Sequence, residues 1–204
     1  MNDTYLRITG RGVREIREKG SRFIAEAIPV TSSEEVNAEF EAIRKREFKA
    51  THHCYAFRLA PDGTVFGFSD AREPVGTAGP PILQRIEARG LVDTLVVVTR
   101  YFGGRKLGTG GLIRAYGDAA AEVLNACPVA EHVLRVPLRL RFDYPDTSPV
   151  LHVLSRFNAE IRDTRYAEGT ELIVGVRRSQ VDAFRDAYRE ALGGRAEAEM
   201  IRAP

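Results

Sequence analysis

Cysteine is nearly missing from this chain. Its 204 residues include two, Cys54 and Cys127. Two thiols that far apart cannot furnish a zinc cluster, and free thiols in a reducing compartment are expected of them. Long hydrophobic runs are missing as well. None approaches the ~20 residues needed to span a bilayer, and no charged stretch followed by an apolar leader stands at the amino terminus. These absences point to a cytoplasmic protein without a membrane partner. Bulk charge of one sign is also lacking: the formal net charge is +2. Lys and Arg against Asp and Glu count 18 to 16 over residues 1–128 and 12 to 12 over residues 129–204. A nucleic-acid contact would have to come from a local patch. Lysine is scarce, four residues against 26 arginines, which reads as genomic base composition or a hot habitat.

What is present suffices for folding. The chain is 44% hydrophobic, with length for one large or two modest domains. Glycine is concentrated rather than merely frequent: it fills five of the nine positions from Gly103 to Gly111. Such density carries an entropic cost and needs a reason.

In chain order, segments around Tyr5–Ile8, Val13–Ile16 and Phe23–Ala25 read as strands joined by turns. Ser32 with Glu35 forms a capping box for a helix bearing Val36, Phe40 and Ile43. Arg44, Lys45 and Arg46 close that helix where its dipole favours cations. Residues 52–59 and 64–68 read as a hairpin across Pro61-Asp62-Gly63. A long loop from Ser69 to Gly79 follows, then a helix with Pro80 or Pro81 in its first turn and Gly90 beyond its end. Leu95 to Val98 has the continuous apolar character of an interior strand. Past the glycines, Leu112, Ile113, Tyr116, Ala119, Ala120, Val123 and Leu124 stripe a long helix that Pro128 ends. From there the order is strand, helix from Ser148-Pro149, a hairpin about Glu168-Gly169, a helix started by Ser179 with Asp182, and a last strand over residues 196–201. That order is the ferredoxin-like βαββαβ unit. The expected domains are residues 1–130 and 131–204.

The stretch from Gly103 to Gly111 follows a strand and opens a helix, the arrangement that presents backbone amides to an anion. Its spacing fits neither nucleotide signature. Thr109 stands where a P-loop needs lysine, and Ile113 where a dinucleotide fingerprint needs its third glycine. Two explanations remain open: a tight corner packed under another element, where only glycine fits, or an anion site. Arg100, Arg105, Lys106, Arg114 and Arg72 supply cations for the second. Tyr101 offers stacking, with Phe102 assigned to the core more readily than Tyr101. The other candidate cluster is catalytic. His53 with Asp70 and Glu73 would suit a hydrolase if they met in one cleft. Against it, His52 and His53 are adjacent on a strand and point to opposite faces, and Asp70 has turn and capping roles available to it. No metal ligand set or cofactor motif emerges.

Taken together, these segments resemble the Impact family, in its YigZ-like bacterial branch. The resemblance rests on Ser21-Arg22-Phe23, His52-His53-Cys54, Phe68-Ser69-Asp70, Glu73-Pro74 and Gly76-Thr77-Ala78-Gly79. It rests above all on Val98 to Gly104, on Leu107 to Leu112, and on Arg114-Ala115-Tyr116-Gly117. One departure is that Ala71 and Arg72 occupy positions where the family has an acid and a glycine. The resemblance implies an α+β fold. The N-terminal two-layer β/α domain would resemble the second domain of ribosomal protein S-five, with helices on one face of a four-stranded sheet. The C-terminal domain would resemble the last, ferredoxin-like domain of elongation factor G. It further implies a role in translation. The site would comprise Arg72, Arg100, Tyr101, Gly103, Gly104, Arg105, Lys106, Gly108, Thr109, Gly110, Gly111 and Arg114, contacting RNA or the ribosome. A hydrolase and a protein-partner adaptor are the alternatives. Oligomeric state and the relative placement of the domains stay open.

Overall fold

A computed structural model describes residues 3–60, 63–166 and 169–201. The chain divides into two units, Tyr5–His132 and Val133–Pro204 with Met1–Thr4. Among the described residues no helix is long and apolar enough to cross a membrane.

The first unit is built on a five-stranded sheet in the order β2-β3-β6-β4-β5. The strands are β2 (Gly12–Glu18), β3 (Ser21–Pro29), β4 (His52–Leu59), β5 (Val65–Ser69) and β6 (Thr94–Tyr101), and every neighbouring pair is antiparallel. A separate two-stranded sheet joins β1 (Thr4–Ile8) to β7 (Val129–Val133). Side-chain alternation along the strands decides what covers each face. Phe23, Ala25, Cys54, Ala56, Val96 and Val98 pack under α2 (Gly79–Ala88) and α3 (Gly108–Ala126), against Ile82, Ile86, Tyr116, Ala120 and Val123. Leu95, Val97, Tyr55, Phe57 and Leu59 turn the other way, to Val36, Phe40 and Ile43 of α1 (Ser33–Arg46). Strand β6 is central and buried on both faces, as its unbroken apolar run requires. The sheet thus has five strands rather than four, and α1 covers the face expected to be bare.

Local chemistry sets the boundaries. Ser32 caps α1 by accepting a hydrogen bond from the Glu35 amide at 3.2 Å. The returning carboxylate of Glu35 reaches one residue further than a capping box demands, accepting from the Thr31 amide at 2.6 Å. Gly63, at φ +66°, takes the positive dihedral expected of it; Pro61 and Asp62 of that turn lie outside the described residues. Helix α3 begins at Gly108, four residues before its apolar stripe.

In the second unit, β8 (Arg135–Phe142), β9 (Glu160–Tyr166), β10 (Thr170–Arg177) and β11 (Glu199–Met200) pair in the order β11-β8-β10-β9. Helices α4 (Thr147–Arg156) and α5 (Val181–Ala191) supply Val150, Leu154, Phe184 and Tyr188 to one core with Leu138, Leu140 and Val174. This is the ferredoxin-like arrangement. The helix starts differ from expectation. A 3-10 turn, Tyr144–Asp146, leads into α4, so Ser148 and Pro149 lie inside the helix. Ser179 sits in a second 3-10 turn and bonds Asp3 through its amide at 2.8 Å and its hydroxyl, rather than capping α5. Glu168, half of the expected hairpin turn, lies outside the described residues.

Candidate functional site

Strand direction brings four connections to one end of the five-stranded sheet. Strands β2, β5 and β6 finish there, and β3 and β4 begin there. The β2–β3 turn, the α1–β4 segment, the β5–α2 loop and the β6–α3 corner are therefore neighbours, and the segments that carry the family resemblance meet in them.

Beneath them lies a buried polar cluster. Cross-strand register places Phe23, Arg100 and His52 in one row across β3, β6 and β4, so all three share the face under α2 and α3. The β5–α2 loop delivers Glu73 to this row. Arg100 Nη1 donates to Glu73 Oε1 at 2.6 Å, and the Tyr116 hydroxyl donates to the same oxygen at 2.8 Å. His52 Nε2 stands 3.7 Å away and its Nδ1–H donates to the Ala71 carbonyl at 2.9 Å. The other guanidinium arm donates to Ser21 Oγ at 3.3 Å, which also accepts from the Gly103 amide at 3.2 Å. Side-chain exposure is 5% for Arg100 and 4% for Glu73. A buried pair of this kind is retained where both charges have partners. Burial drives the Tyr116 phenol far above its ordinary range and pushes the Cys54 thiol up to about 12. Cys54 is therefore an inert thiol, donating to the Asp70 carbonyl at 3.1 Å.

Asp70 is fully employed. Its carboxylate accepts from the amides of Gly76 at 2.8 Å and of Ala78 and Gly79, each at 2.9 Å. It caps α2 from a distance, a role that Thr77, just ahead of the helix, does not take. The Thr77 hydroxyl instead donates to the Pro74 carbonyl at 2.6 Å. His53 faces α1, where its Nε2–H donates to the Glu47 carbonyl at 3.2 Å, and burial holds its pKa below the ordinary value. His53 and Glu73 thus lie on opposite faces of the sheet. The hydrolase trio of His53, Asp70 and Glu73 is not assembled. Among the described residues no group of three or more His, Cys, Asp or Glu is placed to hold a metal ion.

The glycines of the β6–α3 corner divide into two kinds. A Cβ on Gly103 would stand 1.9 Å from the Gly20 carbonyl carbon and 2.3 Å from the Ser21 nitrogen. There the chain packs under another element and only glycine fits. Gly104 and Gly108 hold φ of +85° and +73°. At Gly110 a Cβ would meet nothing within 4 Å and φ is not positive, so neither reason applies. Gly108, Thr109, Gly110 and Gly111 form the first turn of the 19-residue helix α3, which has no side-chain cap and no acid in that turn. Its leading amides have no side-chain acceptor, and such amides are orphans of a helix start. Arg105, Lys106, Thr109 and Arg114 are exposed around it, and among the described residues none of the three cations is ion-paired.

One cation and two rings change role. Arg100 is removed from any surface by its pairing with Glu73. Tyr101 is occupied: its hydroxyl donates to Glu47 at 2.7 Å and the Arg22 guanidinium lies 4.5 Å over its ring. Phe102, assigned to the core from sequence, is instead 48% exposed. Arg72 is exposed on the β5–α2 loop with φ +70°. The second unit offers a groove of about 810 Å³ lined by Arg141, Arg165, Arg195, Asp146 and Glu171. Its arginines Arg141 and Arg195 are paired with Glu171 at 2.8 Å and Asp146 at 2.7 Å, which leaves little free charge for a ligand.

Residues missed in the sequence are Ser21 and Tyr116 as polar partners, and the exposed Phe48. Alternation alone puts Arg100 on the face of Val96 and Val98, a signal of burial that was available.

Comparisons agree with this architecture. The profile of the Impact N-terminal domain matches residues 19–124, and that of a Domain of unknown function (DUF1949) matches residues 140–195. The chain is 34% identical to the IMPACT family member YvyE of Bacillus subtilis over 97% of its own length and 91% of that protein's. It is 33% identical to the IMPACT family member YigZ of Escherichia coli over 84% of each. A crystal structure of a hypothetical protein superposes with a TM-score of 0.72, covering all of both chains at 28% identity.

Proposed function

The chain belongs to the IMPACT family, in the two-domain form of its YigZ-like members, and from that premise we propose that it is a translation-associated binding protein gripping RNA phosphates at the start of α3. One observation carries the reading. The first turn of a long helix is uncapped, free of acids and cleared by Gly104, Gly108 and Gly110, with unpaired Arg105 and Lys106 beside it. Helix dipole, orphan amides and unpaired cations all favour an anion there. Gly110, which has no packing reason to be glycine, supports this use of the stretch. Gly103 is spoken for by packing.

The test is co-sedimentation with ribosomes and with RNA at two salt concentrations. Replacing Arg105 and Lys106 together by Ala weakens binding and lowers the salt slope by about 1.4, two single-strand phosphate contacts. The variant keeps its melting temperature, since both side chains are exposed. Binding by the double variant equal to that of the parent overturns the reading. Ribosome capture that survives RNase treatment assigns the surface to a protein partner instead.

A further inference from the structure

The four lysines of this arginine-rich chain are Lys19, Lys45, Lys49 and Lys106. All four are exposed, and among the described residues no ion pair includes a lysine, whereas arginines fill the ion pairs. Their places are not scattered. Lys19 is in the β2–β3 turn, Lys49 in the α1–β4 segment and Lys106 in the β6–α3 corner, with Lys45 in the last turn of α1. Exposed Arg72 stands in the fourth connection at the same end of the sheet.

These connections are tied to one another. Lys19 precedes Gly20, whose carbonyl carbon abuts Gly103. The Thr51 amide donates to the Arg100 carbonyl at 2.9 Å and its hydroxyl accepts from the Phe102 amide at 3.1 Å. The Glu47 carboxylate holds Tyr101 from the same segment. Two large rings stand out from this end: Phe48, 73% exposed, and Phe102, 48% exposed. The Lys49 ammonium lies 5.6 Å from the Phe48 ring centre and the Arg100 guanidinium 5.5 Å from that of Phe102. Glu18, the last residue of β2, is an exposed acid at this end, and no acid within the described residues of the four connections is exposed; Glu47 is engaged by Tyr101 and Arg46.

Resting on the RNA reading above, we infer that this end of the sheet takes single-stranded RNA, its bases stacking on Phe48 and Phe102 and its phosphates meeting Lys19, Lys49 and Lys106. Lysine is a hydrated point charge on a flexible stem. It neutralises a phosphate chain whose path is not fixed, as the forked geometry of arginine does less readily. Exposed rings between such cations form a platform that accepts any base through its π-face. A duplex keeps its bases stacked inside and has no use for the rings.

The experiment compares a short, labelled, mixed-sequence RNA strand with a blunt duplex of equal length, by fluorescence anisotropy with the full chain. The expected result is tighter binding of the single strand. Phe48→Ala and Phe102→Ala each weaken it by about fivefold or more and leave duplex binding unchanged. Phe102→Trp retains the affinity, and Lys19→Ala with Lys49→Ala flattens the salt dependence. Circular dichroism confirms that each variant folds. If the duplex binds as well as the strand, or the Phe variants match the parent while Arg105→Ala with Lys106→Ala weakens both ligands, RNA binding stands and the single-strand inference falls. If the parent binds neither RNA, both readings fall. Equal competition by polyglutamate overturns the inference in favour of an acidic protein.

Discussion

Gly103→Ala and Gly110→Ala are the same chemical change seven residues apart, and they are expected to move stability in opposite directions. At Gly103 the new methyl group would fall 1.9 Å from one backbone carbon and 2.0 Å from its oxygen. Neither atom can rotate away as a side chain can. The β2–β3 turn must retreat, an overpacking that costs about 1–3 kcal/mol. The retreat also breaks the hydrogen bond from the Gly103 amide to Ser21 Oγ, 3.2 Å long, worth about 1 kcal/mol. A loss of ~3 kcal/mol follows, which in a chain of this size lowers the melting temperature by roughly 6–12 °C. At Gly110 nothing lies within 4 Å of the added methyl and the residue is helical. There Ala gains about 0.5 kcal/mol over Gly and raises melting by roughly 1–2 °C.

Scanning calorimetry of the parent and the two variants is the assay, since it separates the melting of the two units should they unfold apart. The Gly110 variant keeps its amide, so RNA affinity should hold while stability rises. Equal shifts for both variants, or a Gly103 variant melting within a degree or so of the parent, would refute the division of this glycine stretch into a packed part and an open part.

Other perturbations follow from the same geometry. Glu73→Gln leaves Arg100 charged and buried without a counter-ion, and should destabilise the first unit by about 3–5 kcal/mol in urea unfolding. Arg72→Gly relieves a left-handed backbone at φ +70° and should stabilise by about 1 kcal/mol, read as a rise in the urea midpoint. With its pKa pushed up to about 12, Cys54 is almost wholly protonated at pH 8. Native protein should then resist thiol labelling at this position, and unfolded protein should react at once. His53 is held below its ordinary pKa by burial, so the unfolded chain binds its proton first as pH drops through about 6.5. Stability contributed by its neutral form is complete above that pH and is lost below it. His53→Asn should flatten the fall in urea midpoint between pH 7.5 and 5.5.

The second unit was legible because its strands alternate cleanly and its elements come in one recognised order. The expected helix starts there went astray for a physical reason. Ser148 and Ser179 are good caps in isolation, but 3-10 turns precede both helices, and Asp3, remote in sequence, claims Ser179. In the first unit the extra sheet face was readable from Tyr55, Phe57 and Leu59, three apolar residues on alternate positions that need a partner. The residue that supplies it, Phe40 of α1, belongs to that helix's amphipathic stripe with Val36 and Ile43. The swap between Tyr101 and Phe102 was not readable. Alternation puts Tyr101 on the α1 face, but its hydroxyl finds Glu47 only after α1 is docked. Phe102, the more apolar of the two, is left outside because the strand ends before it.

The candidate site was partly legible for a deeper reason. A run of residues that looks like a site from sequence need not be one, because buried polar clusters also demand special residues at fixed positions. Ser21, His52, Asp70, Glu73, Arg100, Gly103 and Tyr116 are all consumed in that way: each has its partners inside the unit, and together they fasten four connections at one end of a sheet. Rigid fastening of that kind is what an interaction surface requires beneath it. The residues left unspent then become informative. They are the lysines, which were read as a compositional remnant, the two outward phenylalanines, and the glycine at position 110. Nothing inside the molecule asks for any of them where they are, and they share one end of one sheet. Partner chemistry is therefore better sought among residues that the fold does not use than among those that make its sequence recognisable.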